Sequence, residues 1–204
     1  MKVMQQIIFA TGNKGKMREI RKILEGLLID GEACEILSMK EAGIDVDVDE
    51  NGLTFEENAM IKATAVAEAA KGAIVLADDS GLEIDYLNKE PGIYSARYLG
   101  EDTPYSVKNA NIISRLEGTV GSQRSARFVC AIAAVMPDGS SFCETATIEG
   151  EIGYEERGEG GFGYDPIFYV PAYGKSTAEL TEDEKNAISH RGKALRAIRK
   201  RLEE

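Results

Sequence analysis

Apolar residues return along this chain at spacings that write out an alternation of strands and helices. Val3 to Ala10 is an apolar run broken only by Gln5 and Gln6, and it predicts an opening strand. Met17, Ile20, Ile23, Leu24, Leu27 and Leu28 then recur every three to four residues, predicting an amphipathic helix entered through Asn13 as N-cap. Ala33 to Ser38 reads as a short strand. Thr54-Phe-Glu-Glu57 has the form of a capping box, so a helix should run from there to about Lys71 with Ala59, Ala63, Ala67 and Ala70 along one face. Gly72 stops it, and Ala73 to Ala77 reads as a buried strand. Thr103-Pro104 predicts another helix start, with Pro at its first position. Arg127 to Met136 and Ser141 to Gly150 read as paired strands joined at Pro137-Asp138-Gly139. Thr181-Glu-Asp-Glu184 is a second capping box, and Ser189 is placed to cap a final helix ending near Leu202. The alternation predicts an α/β fold with a mixed sheet.

Composition narrows the function classes. The chain has 204 residues, 35 acidic against 24 basic, and a net charge of -11. Such a surface repels nucleic acid polymers and anionic membranes but leaves room for a small polyanion in a local basic pocket. The first ten residues do not read as a signal peptide, and the longest apolar run, Phe128 to Met136, is far too short for a membrane span. Cys34, Cys130 and Cys143 form no metal-binding or disulfide spacing, which suits reduced thiols in a cytoplasm acting as small apolar filler.

Four clusters carry candidate chemistry. Thr11-Gly12-Asn13-Lys14-Gly15-Lys16 lies between a strand and a helix, where helix N-terminal amides bind phosphate. Arg18, Arg21 and Lys22 follow in what reads as the first half of that helix, the wrong end of the dipole for cations unless an anion is near; the alternative is a solvated basic face. The loop is not a Walker A motif, because two residues separate Gly12 from Gly15 and Met17 follows the lysine. Asp78-Asp79-Ser80-Gly81 puts two adjacent carboxylates at the end of a buried strand, where α/β sheets place ligands; the alternative is a plain Asp-rich turn. One carboxylate could bind a hard cation while the other takes a proton or orients water, with Asp45, Asp47, Asp49 and Glu50 as partners from another segment. Gly158 to Pro166 matches G-x-G-x-x-G but runs into Asp165-Pro166 rather than a helix, so it reads as a mobile loop whose Phe162 and Tyr164 either stack on a base or pack in the core. Lys185 with Ser189-His190-Arg191 gathers donors suited to a polar ligand edge; with no G-x-S-x-G elbow and a single histidine, neither a serine hydrolase nor a zinc site is read.

Taken together, six blocks resemble the dITP/XTP pyrophosphatase family, which includes the inosine triphosphatases. They are Phe9 to Lys16, Gly52 to Ala59, Ala77 to Leu82, Pro91 to Tyr98, Gly160 to Phe168 and Ala187 to Gly192, in family order across nearly the whole chain. The resemblance implies a single catalytic domain of residues 1–204, α/β, with a long mixed central sheet flanked by helices, in two lobes with the active cleft between them, and a homodimer. It implies hydrolysis of nonstandard purine nucleotides (ITP, dITP, XTP) to the monophosphate and pyrophosphate, with Mg2+ as cofactor. Thr11, Gly12, Asn13, Lys14, Gly15 and Lys16 would hold the triphosphate, with Lys16 also neutralising charge in the reaction. Asp79 would be general base and metal ligand with Asp78 beside it. Glu50 or Asp49 would supply the second metal carboxylate; the family often has two glutamates here, whereas this chain has Asp49-Glu50-Asn51. Ser80 would contact substrate, Phe162, with Gly163 and Tyr164 in the same loop, would stack on the base, and Asp165, Lys185, His190 and Arg191 would read base and sugar. Rival readings are a noncatalytic nucleotide sensor and a phosphohydrolase releasing orthophosphate.

Overall fold

The computed structural model describes residues 5–204, so Val3 and Met4 of the expected first strand lie outside the described residues. Strand β1, Gln5–Phe9, is followed by helix α1, Lys14–Ile23, then β2 (Leu28–Ile29), β3 (Glu32–Ser38), α2 (Phe55–Ala69) and β4 (Ile74–Ile84). Helix α3 is Tyr105–Arg115, β5 is Ser125–Val135, β6 is Ser141–Ile152, β7 is Phe168–Val170 and β8 is Lys175–Ser176; α4 (Glu182–Ile188) and α5 (His190–Glu203) close the chain. The strands form one eight-stranded sheet in the order β2-β3-β1-β4-β5-β6-β7-β8. It is mixed: β1 runs parallel to β3 and β4, while β2 against β3, β6 against β7 and β7 against β8 are antiparallel.

Two compact units divide the chain. The first comprises Met1–Asp79, Cys130–Ala146 and Arg191–Glu204; the second comprises Ser80–Val129 and Thr147–His190. In the first, Ile7, Phe9, Met17, Ile20, Leu24, Ile74, Leu76, Ile132, Leu195 and Ile198 make one buried cluster of strand and helix faces. Cys130 is part of that cluster and its thiol is pushed up by burial, which fits filler rather than chemistry. In the second, Leu82, Ile84, Ile112, Leu116, Phe128, Ile152, Ile167 and Phe168 make a separate buried cluster.

Local signals explain where each element starts. Asn13 caps α1, its side-chain oxygen accepting from Gly15 N at 2.8 Å and Lys16 N at 3.1 Å. Thr54 caps α2 by accepting from Glu57 N at 3.1 Å. Thr181 and Glu184 cap α4 reciprocally.

Three expectations shift. The first helix ends at Ile23 rather than near Leu28, because Gly26 takes φ +71° and turns the chain; Leu24 and Leu27 still bury, but Leu28 moves to β2. Arg21 and Lys22 therefore fall in the last turn of a ten-residue helix, the favourable end for cations, and Arg21 pairs with Glu41 at 2.6 Å. The misplaced-charge argument survives only for Arg18. Helix α3 begins one residue later than expected, with Pro104 as N-cap; the Thr103 hydroxyl donates to Leu99 O at 2.7 Å instead of capping.

Candidate active site

Strand β4 does not end at Ala77. It continues through Asp78, Asp79, Ser80 and Gly81 to Ile84, so the acidic pair sits inside a strand rather than just past its end. Successive strand residues face opposite sides of a sheet, and that one fact separates the two acids.

Asp78 is 1% exposed and lies between cations from two helices. Lys16 Nζ of α1 donates to it at 3.0 Å, and Arg191 Nε of α5 at 3.4 Å; Arg191 Nη1 also pairs with Glu19 of α1 at 2.8 Å. Burial opposes ionisation of Asp78, but the charges of Lys16, Arg191 and Lys62 outweigh it and hold the carboxyl well below the usual range. Asp78 is thus a fixed anion that anchors Lys16.

Asp79 meets different partners. Asn58 of α2 donates through Nδ2 to Asp79 Oδ2 at 3.1 Å. Burial pushes the Asp79 carboxyl up to about 6, the Asn58 hydrogen bond pulls it down, and the negative charge of Glu50 raises it again. Glu50 pairs with Lys62 Nζ at 2.8 Å, and the same ammonium donates to the Asp78 carbonyl at 3.0 Å. Asp49, one residue earlier, is exposed, as are Asp45 and Asp47. Of the two candidate acids, the fold brings Glu50 to Asp79 and leaves Asp49 in solvent.

The loop before α1 is shaped for this site. Ala10 N bonds to Leu76 O of β4 at 2.7 Å, and Thr11 Oγ1 accepts from Asn13 N at 3.2 Å. Gly12, Asn13, Lys14 and Gly15 are exposed at the helix start, and no acidic residue occupies the first turn of α1. The N–H groups of Asn13, Gly15 and Lys16 are already taken by side chains of the loop, so exposed Lys14 and Asp78-anchored Lys16 carry its positive charge.

The second unit carries the other candidates. Asp165 is 4% exposed and is a hub for three donors. Its Oδ2 accepts from Lys185 Nζ at 2.6 Å and Phe162 N at 2.8 Å, and its Oδ1 accepts from Thr177 Oγ1 at 2.8 Å. Lys185 Nζ also lies 5.0 Å from the centroid of the Phe162 ring, which is 47% exposed. A Cβ at Gly161 would come within 2.2 Å of Asp165 Oδ2, and φ there is +72°, so only glycine fits the turn that wraps this carboxylate. Tyr164 is buried; its hydroxyl donates to Ser95 O at 2.7 Å, and the Tyr105 ring meets it edge-on at 5.2 Å. That residue packs the core, and Phe162 alone of the two aromatics is available to a ligand. His190 stacks on Phe128 at 4.9 Å. A Cβ at Gly158 or Gly160 would run into the Ala178 backbone, at 2.6 Å and 2.7 Å respectively.

A family model described as the Ham1 family matches residues 7–201. The chain belongs to the Ham1 family. It is 46% identical to the dITP/XTP pyrophosphatase of Clostridium perfringens, with 98% of each chain covered. It is likewise 46% identical to the dITP/XTP pyrophosphatase of Bacillus subtilis, with both chains covered in full. The solved Ham1 protein of Staphylococcus aureus superposes with a TM-score of 0.85 at 40% identity, covering 97% of this chain and 98% of that one. The mixed sheet flanked by helices is therefore the architecture of Ham1 structures.

Within this Ham1-family chain, the structure gathers Lys16, Asp78, Asp79, Glu50 and Arg191 in one unit, and Phe162, Asp165, Lys185 and His190 in the other. Arg191 pairs through Nη1 with Glu19 and through Nε with Asp78. Ser80 is half-buried on β4, next to Asp79 in sequence. Four residues escaped the sequence reading. Asn58 and Lys62 are polar positions four apart on a helix whose other inward residues are Phe55, Ala59, Ala63 and Val66, a signal that was there to be read. Glu19 and Thr177 have no such signature.

Proposed function

We propose that the chain hydrolyses nonstandard purine nucleoside triphosphates (dITP, ITP, XTP) to the monophosphate and pyrophosphate, in a magnesium-dependent reaction. The single observation that carries this is the division of labour on β4: Asp78 fixed as an anion under Lys16, Asp79 held with a carboxyl raised to about 6 beside Glu50. The names of the Clostridium perfringens and Bacillus subtilis relatives support the substrate class.

The residues fit a magnesium ion. Among the described residues no three His, Cys, Asp or Glu side chains form a ready-made metal cluster. Magnesium is commonly held by one or two carboxylates with substrate phosphates completing the shell, and Asp79 with Glu50 is such a pair. The Asp79 carboxyl is raised chiefly by burial and further by the Glu50 charge, and a bound cation would favour its ionised form. When bound, the ion would neutralise phosphate charge and polarise the phosphorus under attack.

The chain's own residues then have separable roles. The α1 start and Lys16 hold phosphate oxygens, with Lys16 aimed by Asp78. Asp79 takes the proton of a water molecule as its oxygen bonds to the α-phosphorus. The bond from that phosphorus to the bridging oxygen breaks, and pyrophosphate leaves with its electron pair. Phe162 offers a flat face to the purine. Lys185 has two N–H donors beyond the one given to Asp165, and these suit the position-6 oxygen of inosine or xanthine, where adenine carries an amino group. Asp165 thereby sets the lysine and the loop in one stroke. A homodimer in the cytoplasm completes the proposal; among the described residues no helix is long and apolar enough to cross a membrane.

Product analysis decides it. Incubation with dITP, ITP, XTP, ATP and GTP plus magnesium should release pyrophosphate from the first three, far less from ATP and GTP, and none with a chelator. Orthophosphate as product, or equal rates on ATP and ITP, would refute the reading.

A further inference from the structure

Asn58 is 1% exposed on α2 and makes two hydrogen bonds of opposite polarity to two different segments. Its Nδ2 donates to Asp79 Oδ2 at 3.1 Å, and its Oδ1 accepts from Gly52 N at 2.8 Å. Gly52 follows Glu50 by two residues, so one amide joins the candidate base to the loop that carries the second carboxylate. The polarity leaves no alternative orientation. Turned over, the amide would set its oxygen against the Asp79 carboxylate and its NH2 against the Gly52 N–H. The fit is also tight: a Cβ at Gly52 would stand 2.8 Å from Asn58 Oδ1 and 2.8 Å from Glu57 Cβ. One helical turn on, Lys62 repeats the pattern, pairing with Glu50 at 2.8 Å and with the Asp78 carbonyl at 3.0 Å.

We propose that Asn58 is the positioning residue of the pyrophosphatase centre: its amide locks the rotamer of Asp79 and ties it to the loop that carries Glu50. This rests on the assignment of Asp79 as general base. It goes beyond that assignment in naming what makes a flexible carboxylate into a fixed one. Only an amide of this length serves. Aspartate keeps the acceptor for Gly52 N–H but puts a like-charged group where the donor was. Alanine removes both.

The test compares Asn58→Asp, Asn58→Ala and Asp79→Asn with the parent protein, at one alkaline pH and saturating magnesium. A misplaced reacting group costs about 10²-fold, so kcat for dITP should fall by about that factor in both Asn58 variants, with KM within about threefold. Binding of dITP measured by calorimetry in the presence of EDTA should stay within about threefold of the parent, because the phosphate and base contacts come from other residues. A kcat within about threefold of the parent in either Asn58 variant overturns the proposal, as does a change confined to KM. Should the Asp variant fail to fold, the Ala variant alone decides, because it adds no charge. Asp79→Asn separates the two levels. If it is inactive while the Asn58 variants are unimpaired, the positioning role alone falls; if it is active, the base assignment falls first.

Discussion

The two units fix their candidate site residues by different means. In the first, position is set by charge: Asp78, Lys16, Arg191 and Glu19 form a largely buried chain of ion pairs between a strand and two helices, and the candidate base Asp79 stands on the other side of that strand. In the second, a single ion pair, Lys185 with Asp165 at 2.6 Å, is joined by hydrogen bonds from Phe162 N and Thr177 Oγ1 in a loop where Gly158, Gly161 and Gly163 all take positive φ, while the ring of Phe162 stays half exposed. The contrast matches the demands of the chemistry. Holding a polyanion and ionising a water need fixed charge in a low dielectric, whereas admitting one base and rejecting another needs a surface that reads shape and donors.

The sharpest way to break the comparison is at Asp79. Replacing it with Asn removes the proton acceptor and a metal carboxylate together, and kcat should fall by about 10³-fold or more. The same change should stabilise the protein at neutral and alkaline pH. The Asp79 carboxyl is raised in the folded state, chiefly by burial, so its contribution to stability is fully present below the ordinary carboxylate pKa near 4 and is lost as pH rises through about 6. Above that, the ionised group costs folding about 2–3 kcal/mol without metal, and Asn carries no such cost while still able to accept from Asn58. Calorimetry in EDTA should show the variant melting several degrees higher at pH 8 and no different at pH 4. A variant less stable than the parent at pH 8 would mean that Asp79 is held by charge, as Asp78 is.

Asp78 should behave in the opposite sense. Asp78→Asn leaves Lys16 and Arg191 in a buried place without their anion, and removing one partner of such a pair costs about 3–5 kcal/mol. Urea unfolding should record that loss as a lowered midpoint, with phosphate affinity weakened because Lys16 is no longer aimed. A midpoint within error of the parent would show that the network is ornamental.

How far the sequence carried this division depends on which force did the placing. Caps and apolar periodicity located α1, α2 and α4, because those signals act within one turn of helix: Asn13, Thr54 and Thr181 all cap as expected. The blocks around Asp79 and Lys185 were legible as chemistry. Their partners were not, because pairing depends on which way a strand residue faces. Ending the strand at Ala77 hid the alternation that sends one acid to Lys16 and the other to Asn58. Nothing near Arg191 in sequence announces its ion pair with Asp78, 113 residues away. Tyr164 could be told from Phe162 only by burial, which the identical aromatic-glycine spacing does not record.

The smallest expected effect lies in the second unit, at Phe162. If its ring is a stacking platform, flatness matters more than volume. Base–aromatic stacking is worth about 1–3 kcal/mol, and a ring this exposed should sit at the low end, so Phe162→Leu should raise KM for dITP about five- to tenfold with little change in kcat. Phe162→Trp should keep KM near the parent value, because an indole is also flat. Lys185 complicates the reading, since its ammonium lies over the same ring and loses that contact in the Leu variant. The tryptophan variant resolves it: an indole binds a cation at least as well as a phenyl ring, so it preserves both contacts. Measuring the same variants with ATP then separates affinity from selectivity. A stacking loss weakens both nucleotides alike, whereas a displaced Lys185 narrows the gap between dITP and ATP, because only the position-6 oxygen depends on its donors. Leucine and tryptophan variants that bind dITP equally well would remove Phe162 from the site and leave base recognition to Lys185 and its Asp165 anchor alone.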